Sequence, residues 1–334
     1  MRCGAIATPA RAAFEVTEVE SLSTNPPPAA RHHGCMKTAS WPGIVLALAA
    51  AVLWGTTGTS QHFAGAHLSS FWIGALRLVI AALFFAGLVA LAEGPAAARP
   101  RPAGLWRRQL LAGAAIAVYN LAFFAGVRLA GVAVGTTVAI GSGPLFAGAL
   151  QALVTRRAPV PLWWLGTALA IAGGAAIALG NGGPAAASLG GLLLCLAAGL
   201  SYAIYTLAAK SLSGHASPAR ASLWVFGTAA VIALPAAWAI APSGPADLAA
   251  ADARTWLVVA WLGVVATGVS YLLFSTALRF ISAATGVALA LGEPLTAFTL
   301  AVLLLGEPLR ASGLAGIALI LAGLALVITS ERRG

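Results

Sequence analysis

The sequence predicts an all-α membrane protein with ten transmembrane helices, arranged as two inverted five-helix repeats. Three observations predict it. Only 8% of the 334 residues are charged, while 60% are hydrophobic. The hydrophobic residues gather into ten runs of about 20, the length needed to cross a hydrocarbon core about 30 Å thick. A stretch near residue 293 repeats one near residue 143.

The shortage of charge decides the solvent. A soluble domain carries about 25% charged residues, so this chain cannot cover a water-facing surface and must be solvated largely by lipid. The net charge of +10 does not indicate nucleic acid, because the basic residues form short clusters between apolar runs, as cytoplasmic loops do. Cys3, Cys35 and Cys195 form no CxxC pair, which excludes a disulfide framework or zinc site; Cys195 reads as a small core residue. Neither Lys37 nor Lys210 sits in a Gly-Lys-Ser/Thr motif, so the chain has no P-loop and energy must come from a gradient or a separate subunit. Arginine usage with abundant Ala and Gly suggests a high-GC bacterial genome and hence the bacterial inner membrane.

Taken in order, residues 1–40 read as a disordered tail, holding Glu15, Glu18, Glu20, Pro26–Pro28 and His32-His33 without the apolar core of a signal peptide. Met36 stands just before the first apolar run and is an alternative start. Spans at 42–61, 69–91, 109–127, 132–153 and 162–180 form a first repeat over 41–180. Spans at 189–209, 220–241, 255–278, 283–305 and 312–330 form a second over 188–330. Only Arg128 and Gly131 mark the boundary between the third and fourth spans. One unbroken helix there would exceed the bilayer and bury Arg128 at a cost of about 2.5–3.5 kcal/mol or more, so two spans with a tight turn are expected. A cytoplasmic N-terminus puts Arg99, Arg101, Arg107, Arg108, Arg156, Arg157, Lys210, Arg220 and Arg279 inside, with both tails. Only Arg128, Arg254 and Arg310 fall outside. The positive-inside rule therefore places both termini in the cytoplasm. Trp41, Trp72, Trp106, Trp163, Trp164 and Trp256 sit near span ends and read as interfacial anchors.

The repeat is specific. Gly143-Pro144-Leu145-Phe146-Ala147 matches Glu293-Pro294-Leu295-Thr296-Ala297, and Gly166, Leu169 and Gly173 match Gly316, Leu319 and Gly323 at the same offset. Five spans is an odd number, so the second copy enters the membrane from the opposite face, a plan that recurs in secondary transporters. Gly292-Glu293-Pro294-Leu295, the run Leu305-Gly306-Glu307-Pro308-Leu309 and Leu53-Trp54-Gly55 resemble an EamA-type member of the drug/metabolite transporter superfamily over about residues 40–330. The resemblance implies ten helices, two EamA repeats, and export or exchange of a small metabolite: an amino acid, a related metabolite or a drug-like compound; no cofactor is expected. The first copy departs from the pattern, with Gly143 in place of Glu293 and Arg157 in place of Glu307, so no role of those acids carries over to it.

Several residues could carry the chemistry. Pro144 and Pro294 fall near the middle of corresponding spans. A proline there frees backbone carbonyls, which must face protein or a wet cavity, so both read as hinges beside a transport site; packing kinks are the plainer alternative. Glu293 lies well inside its span. It either takes part in proton coupling or satisfies the backbone that Pro294 frees. Arg77, at similar depth, either binds a substrate carboxylate through its planar fork or is neutralised by nearby carbonyls. Trp54, Tyr119, Asn120, Tyr202, Tyr205, Tyr271 and Gln151 lie within spans and as a group form the candidate lining of an amphipathic cavity. Glu307 and Arg310 at a span end read as a gate pair or a solvated helix end.

The expected function is a secondary transporter working by alternating access, with a small-molecule substrate, the lipid bilayer as its surroundings, no nucleic acid, and a homodimer left open. A membrane channel or a membrane-embedded non-transport protein is the alternative. An enzyme is not expected, since every histidine falls in the tail, a loop or a span end and Glu293 has no second intramembrane acid.

Overall fold

A computed structural model describes residues 40–63, 68–94, 104–180, 188–241, 244 and 246–333. The expected tail, the alternative start at Met36 and the basic residues Arg99 and Arg101 lie outside the described residues. Ten helices among the described residues are long and apolar enough to cross a membrane: α1 Ser40–His62, α2 Ser70–Glu93, α3 Leu105–Ala130, α4 Val132–Thr155, α5 Pro161–Gly180, α6 Leu189–Leu212, α7 Pro218–Ile240, α8 Ala253–Ala277, α9 Ala283–Leu305 and α10 Ala311–Arg333.

The helix ends follow from local chemistry. The first backbone N–H groups of a helix have no intrahelical acceptor, and an oxygen-bearing side chain at the cap supplies one. Ser69, Ser188, Ser217 and Ser282 do this for α2, α6, α7 and α9. Asp252 does it for α8, and hydrogen bonds from Thr255 hold its carboxyl below the usual carboxylate range. Between α3 and α4 the chain turns on Gly131 alone, at φ +83°, a conformation that costs glycine little and other residues much. Arg128 lies in the last turn of α3, not in a connection, with its guanidinium 5.5 Å above the Phe71 ring.

The two repeats interlock. α1 packs on α8 and α9, and its counterpart α6 packs on α3 and α4; α2 meets α8 as α7 meets α3; α2–α7 and α5–α10 pair across the centre. Each of these contacts has an inverted mate. The α5–α10 pair shows the crossing directly. Gly173 and Gly316 face one another so closely that a Cβ on Gly173 would lie 2.5 Å from the Gly316 carbonyl oxygen, and one on Gly166 would lie 2.6 Å from that of Gly323. Small residues of this kind let membrane helices approach at the backbone.

The irregular helices lie in the second half. α8 widens into a π-helical stretch at Val264–Val269, and α9 tightens into a 3-10 turn at Ala290–Gly292. Pro294 follows that turn in the first turn of a new α-helical segment, where its missing N–H costs nothing. Pro144, by contrast, sits inside an α4 that stays helical throughout, and α7 likewise contains Pro235. The sequence led us to expect matching breaks at both prolines; only α9 leaves the α-helix. Trp72 and Trp163 also differ from expectation. Both are buried in the protein at their span ends, and the Trp72 indole N–H donates to the Gly244 carbonyl in the α7–α8 connection at 2.7 Å.

Candidate functional site

A cavity of about 520 Å³ opens between the two halves. α1 contributes Trp54, Gly58 and Gln61, at helical spacing on one face; α2 contributes Ser70 and Arg77, and α3 contributes Tyr119, Asn120, Phe123 and Val127. α4 adds Val132 and Thr136, α6 adds Tyr202, α8 adds Tyr271, and α9 adds Val287, Ala290 and Glu293. Gly55 lets α1 reach the α9 turn that bears the acid: a Cβ there would stand 2.7 Å from the Glu293 carbonyl oxygen.

Aromatic rings form its floor. The Trp54 and Tyr271 centroids are 5.0 Å apart, Tyr119 and Tyr202 are 5.1 Å apart, and Trp54 also meets Tyr202 at 6.4 Å. Two buried donors here have no hydrogen-bond partner, Nε1 of Trp54 and Nε of Arg77, and Arg77 as a whole is 8% exposed. Arg77 is near enough for its charge to act on Glu293, yet no ion pair joins the two. Asn120 donates to the Ile116 carbonyl at 3.0 Å. Among the described residues no group of His, Cys, Asp or Glu is placed to hold a metal ion.

Seven of the eight residues expected to bind substrate line this cavity; Tyr205 does not. It lies one turn further along α6, buried at 5.7 Å from Tyr271 beneath the floor. Gln151 is also elsewhere, accepting from the Ala284 backbone N–H at 3.0 Å. Of the hinge candidates, Pro294 borders an adjoining recess and Pro144 lines neither space. Arg310 donates to the Gly180 carbonyl at 2.7 Å. Thr57, Gln61, Ser70 and Thr136 line the cavity without having stood out in the sequence; the spacing from Trp54 to Gly58 to Gln61 was the available signal.

The two ends of the bundle differ. The lining comes from the C-terminal halves of α1 and α3 and the N-terminal halves of α2 and α4, and reaches exposed Gly58, Ser70 and Val132. The cavity thus opens to the face bearing the α1–α2 and α3–α4 connections. The opposite face carries Arg107, Arg108, Arg156, Arg157, Lys210, Arg220 and Arg279, together with both ends of the described bundle, where Arg332 lies 5.1 Å above the Trp41 ring. At this basic face polar ties join the helix ends, and one of them, Glu93 with Arg220, joins the two halves. Lys210 donates to the Leu278 carbonyl and, at 2.9 Å, to that of Ile281. Glu93 pairs with Arg220 and accepts from Ser217. Glu331 accepts from the Ser282 N–H at 2.8 Å and from the Thr285 hydroxyl at 2.5 Å. Between these ties and the floor lie fully buried Phe226, Phe274, Leu278 and Leu212.

Known proteins resemble the chain, some of them along most of its length. A protein of Bacillus subtilis described as the uncharacterized transporter YwfM is 34% identical over 293 residues, covering 86% of this chain and 93% of that protein. An uncharacterized transporter of Archaeoglobus fulgidus is 29% identical over 136 residues, 41% of this chain and 47% of that protein. A solved crystal structure at 20% identity superposes with a TM-score of 0.73, covers 89% of this chain and 98% of its own, and shows the same fold. The EamA-like transporter family matches residues 41–179 and again residues 189–329. With ten membrane helices, an interlocked duplication and a cavity where the copies meet, the chain belongs to the EamA-like transporter family and is a multi-pass membrane transporter.

Proposed function

We propose that the protein is a secondary carrier that moves a small, carboxylate-bearing organic solute across the bacterial inner membrane by alternating access. The observation that carries this reading is Arg77: a buried guanidinium on the cavity wall, with Nε unpartnered and no ion pair to Glu293. A buried donor left without an acceptor is costly, and a solute carboxylate would satisfy it through the bidentate geometry that arginine favours. The aromatic floor suits an apolar part of the same solute. Glu293, which α9 contributes to the same cavity, is the group for proton coupling. The basic face favours a carrier over a channel, since buried Phe226, Phe274 and Leu278 and the polar ties close the described bundle there. Arg77 and Glu293 are the charged groups lining the cavity, which gives a hydrolytic or transfer reaction no nucleophile–base pair. The clustering of arginines makes the basic face cytoplasmic, so both ends of the bundle lie inside and the cavity opens outward, and export or exchange would proceed through this state.

Proteoliposomes test the reading. Purified protein is assayed for uptake of radiolabelled amino acids and amphipathic monocarboxylates, with and without a pH gradient. Saturable uptake that Arg77→Met abolishes is expected. Linear flux that does not saturate would point to a channel, and no uptake of any carboxylate by folded protein would overturn the assignment.

A further inference from the structure

Beside the central cavity, between α4, α5 and α9, lies a recess of about 180 Å³. We infer that it is a second subsite of the transport site, which takes a ring-sized or short alkyl apolar end of the solute while the polar end stays in the main cavity. The inference rests on the carrier reading above and adds a specificity rule to it.

Continuity is the first argument. Thr136, Ile140, Glu293 and Ala297 line both spaces, so the recess opens from the cavity at the acid itself. Its chemistry is the second. Beyond that mouth the wall is Gly141, Ile171, Ile177, Leu291 and Phe298. The Thr137 hydroxyl is already committed to the Ala133 carbonyl at 2.8 Å. Water entering such a space finds few partners, whereas an apolar group fits it; a dry cavity of about 150 Å³ with similar walls is large enough for benzene. The third argument is the small residue that keeps it open. A Cβ on Gly174 would lie 3.8 Å from Cγ of Pro294, so the chain leaves room where any larger side chain would project into the recess. The 3-10 turn and Pro294 in α9 border this space, which gives that irregularity a use: it sets the acid between a polar compartment and an apolar one.

The rule is that affinity rises with the apolar length of the solute until the recess is full. The probes are straight-chain monocarboxylates from acetate to decanoate, with the n-alcohols of matching length, titrated calorimetrically against the full chain in nanodiscs and corrected for empty nanodiscs. Each buried methylene should tighten binding roughly fourfold, so hexanoate should bind roughly fiftyfold tighter than propionate, with little further gain beyond about six carbons. Gly174→Leu should cut the hexanoate-to-propionate ratio at least tenfold. Ala175→Leu, on the same wall, is the second variant should the first not fold. An equal slope in wild type and variants, or no dependence on length in wild type, overturns the inference and leaves the recess to a lipid acyl chain. Should no carboxylate bind at all, the carrier reading loses its anion, and the alcohols decide the recess alone: a length dependence lost in Gly174→Leu sustains it, a flat series ends it.

Discussion

Arg77 on α2 and Glu293 on α9 line one cavity without forming an ion pair, and that arrangement shapes what each substitution should do. Removing the guanidinium removes charge-assisted hydrogen bonds to a carboxylate, so Arg77→Met should weaken binding of propionate roughly tenfold to a hundredfold. Arg77→Lys should not restore it, because an ammonium lacks the fork; calorimetric titration distinguishes the three proteins. Glu293→Gln keeps the shape and removes the titratable proton. Uptake driven by a pH gradient should be lost, while counterflow exchange of labelled for unlabelled solute should persist. A pH response equal to that of wild type would take Glu293 out of the coupling. Both residues were legible in the sequence for one physical reason: a charge inside an apolar run is expensive and therefore conspicuous. Thr136 was not, since small hydroxyl side chains are common within membrane helices and only the packing says which of them face a cavity; Gln61 was marked only by its helical spacing from Trp54. Tyr205 shows the converse. Three residues from Tyr202 on the same helix, it is read as lining, yet one helical turn carries it below the floor.

The boundaries of the helices, too, were written locally, in serine caps, proline starts and the glycine turn between α3 and α4. Their mutual packing was not. In water an amphipathic stripe announces the buried face, but in lipid both the outward and the inward faces are apolar, so hydropathy does not say that α1 leaves its own half to lie on α8 and α9. The glycines of α5 and α10 are the exception, because small residues mark backbone contact whatever the solvent. The sequence aligns Gly173 with Gly323, and the structure sets it against Gly316, as inversion requires. Gly173→Val should cost about 1–3 kcal/mol through overpacking, seen as a lower melting temperature in detergent; an unchanged melt would mean the two helices part freely. The π-helical stretch of α8 had no signal at all. It contains no proline, and the carbonyls it displaces are met by side chains: the Thr267 hydroxyl donates to the Leu262 carbonyl and Ser270 to that of Ala266, both at 2.7 Å. Composition records the hydroxyls but not the extra residue in the turn.

For the molecule as a whole, the inversion relates folds but not gates. The basic face is shut by named polar ties, and the other face is open. In the repeat alignment Lys210 has no lysine or arginine mate: positions 60–62, opposite it, are Ser60, Gln61 and His62. The two ends are therefore chemically unlike, and in the proposed alternating-access cycle Lys210 would hold the state that is closed at the basic face. Its ammonium satisfies carbonyls at the end of α8, and parting α6 from that end of α8 would break both bonds. Lys210→Met keeps the aliphatic stem and removes the donors. With charge-assisted bonds lost, the ratio of inward-open to outward-open protein should rise roughly tenfold or more. The reporter is a cysteine at Ser275, beneath the gate beside Ser222, in a chain whose native cysteines are replaced. It is labelled with a membrane-impermeant maleimide added to one side of oriented vesicles. Faster labelling from the basic face in Lys210→Met is the expected result. An unchanged rate would place the barrier in the fully buried layer of Phe226, Phe274 and Leu278 and make the polar ties incidental to closure, because a lock that can be removed without opening the path was not what held it.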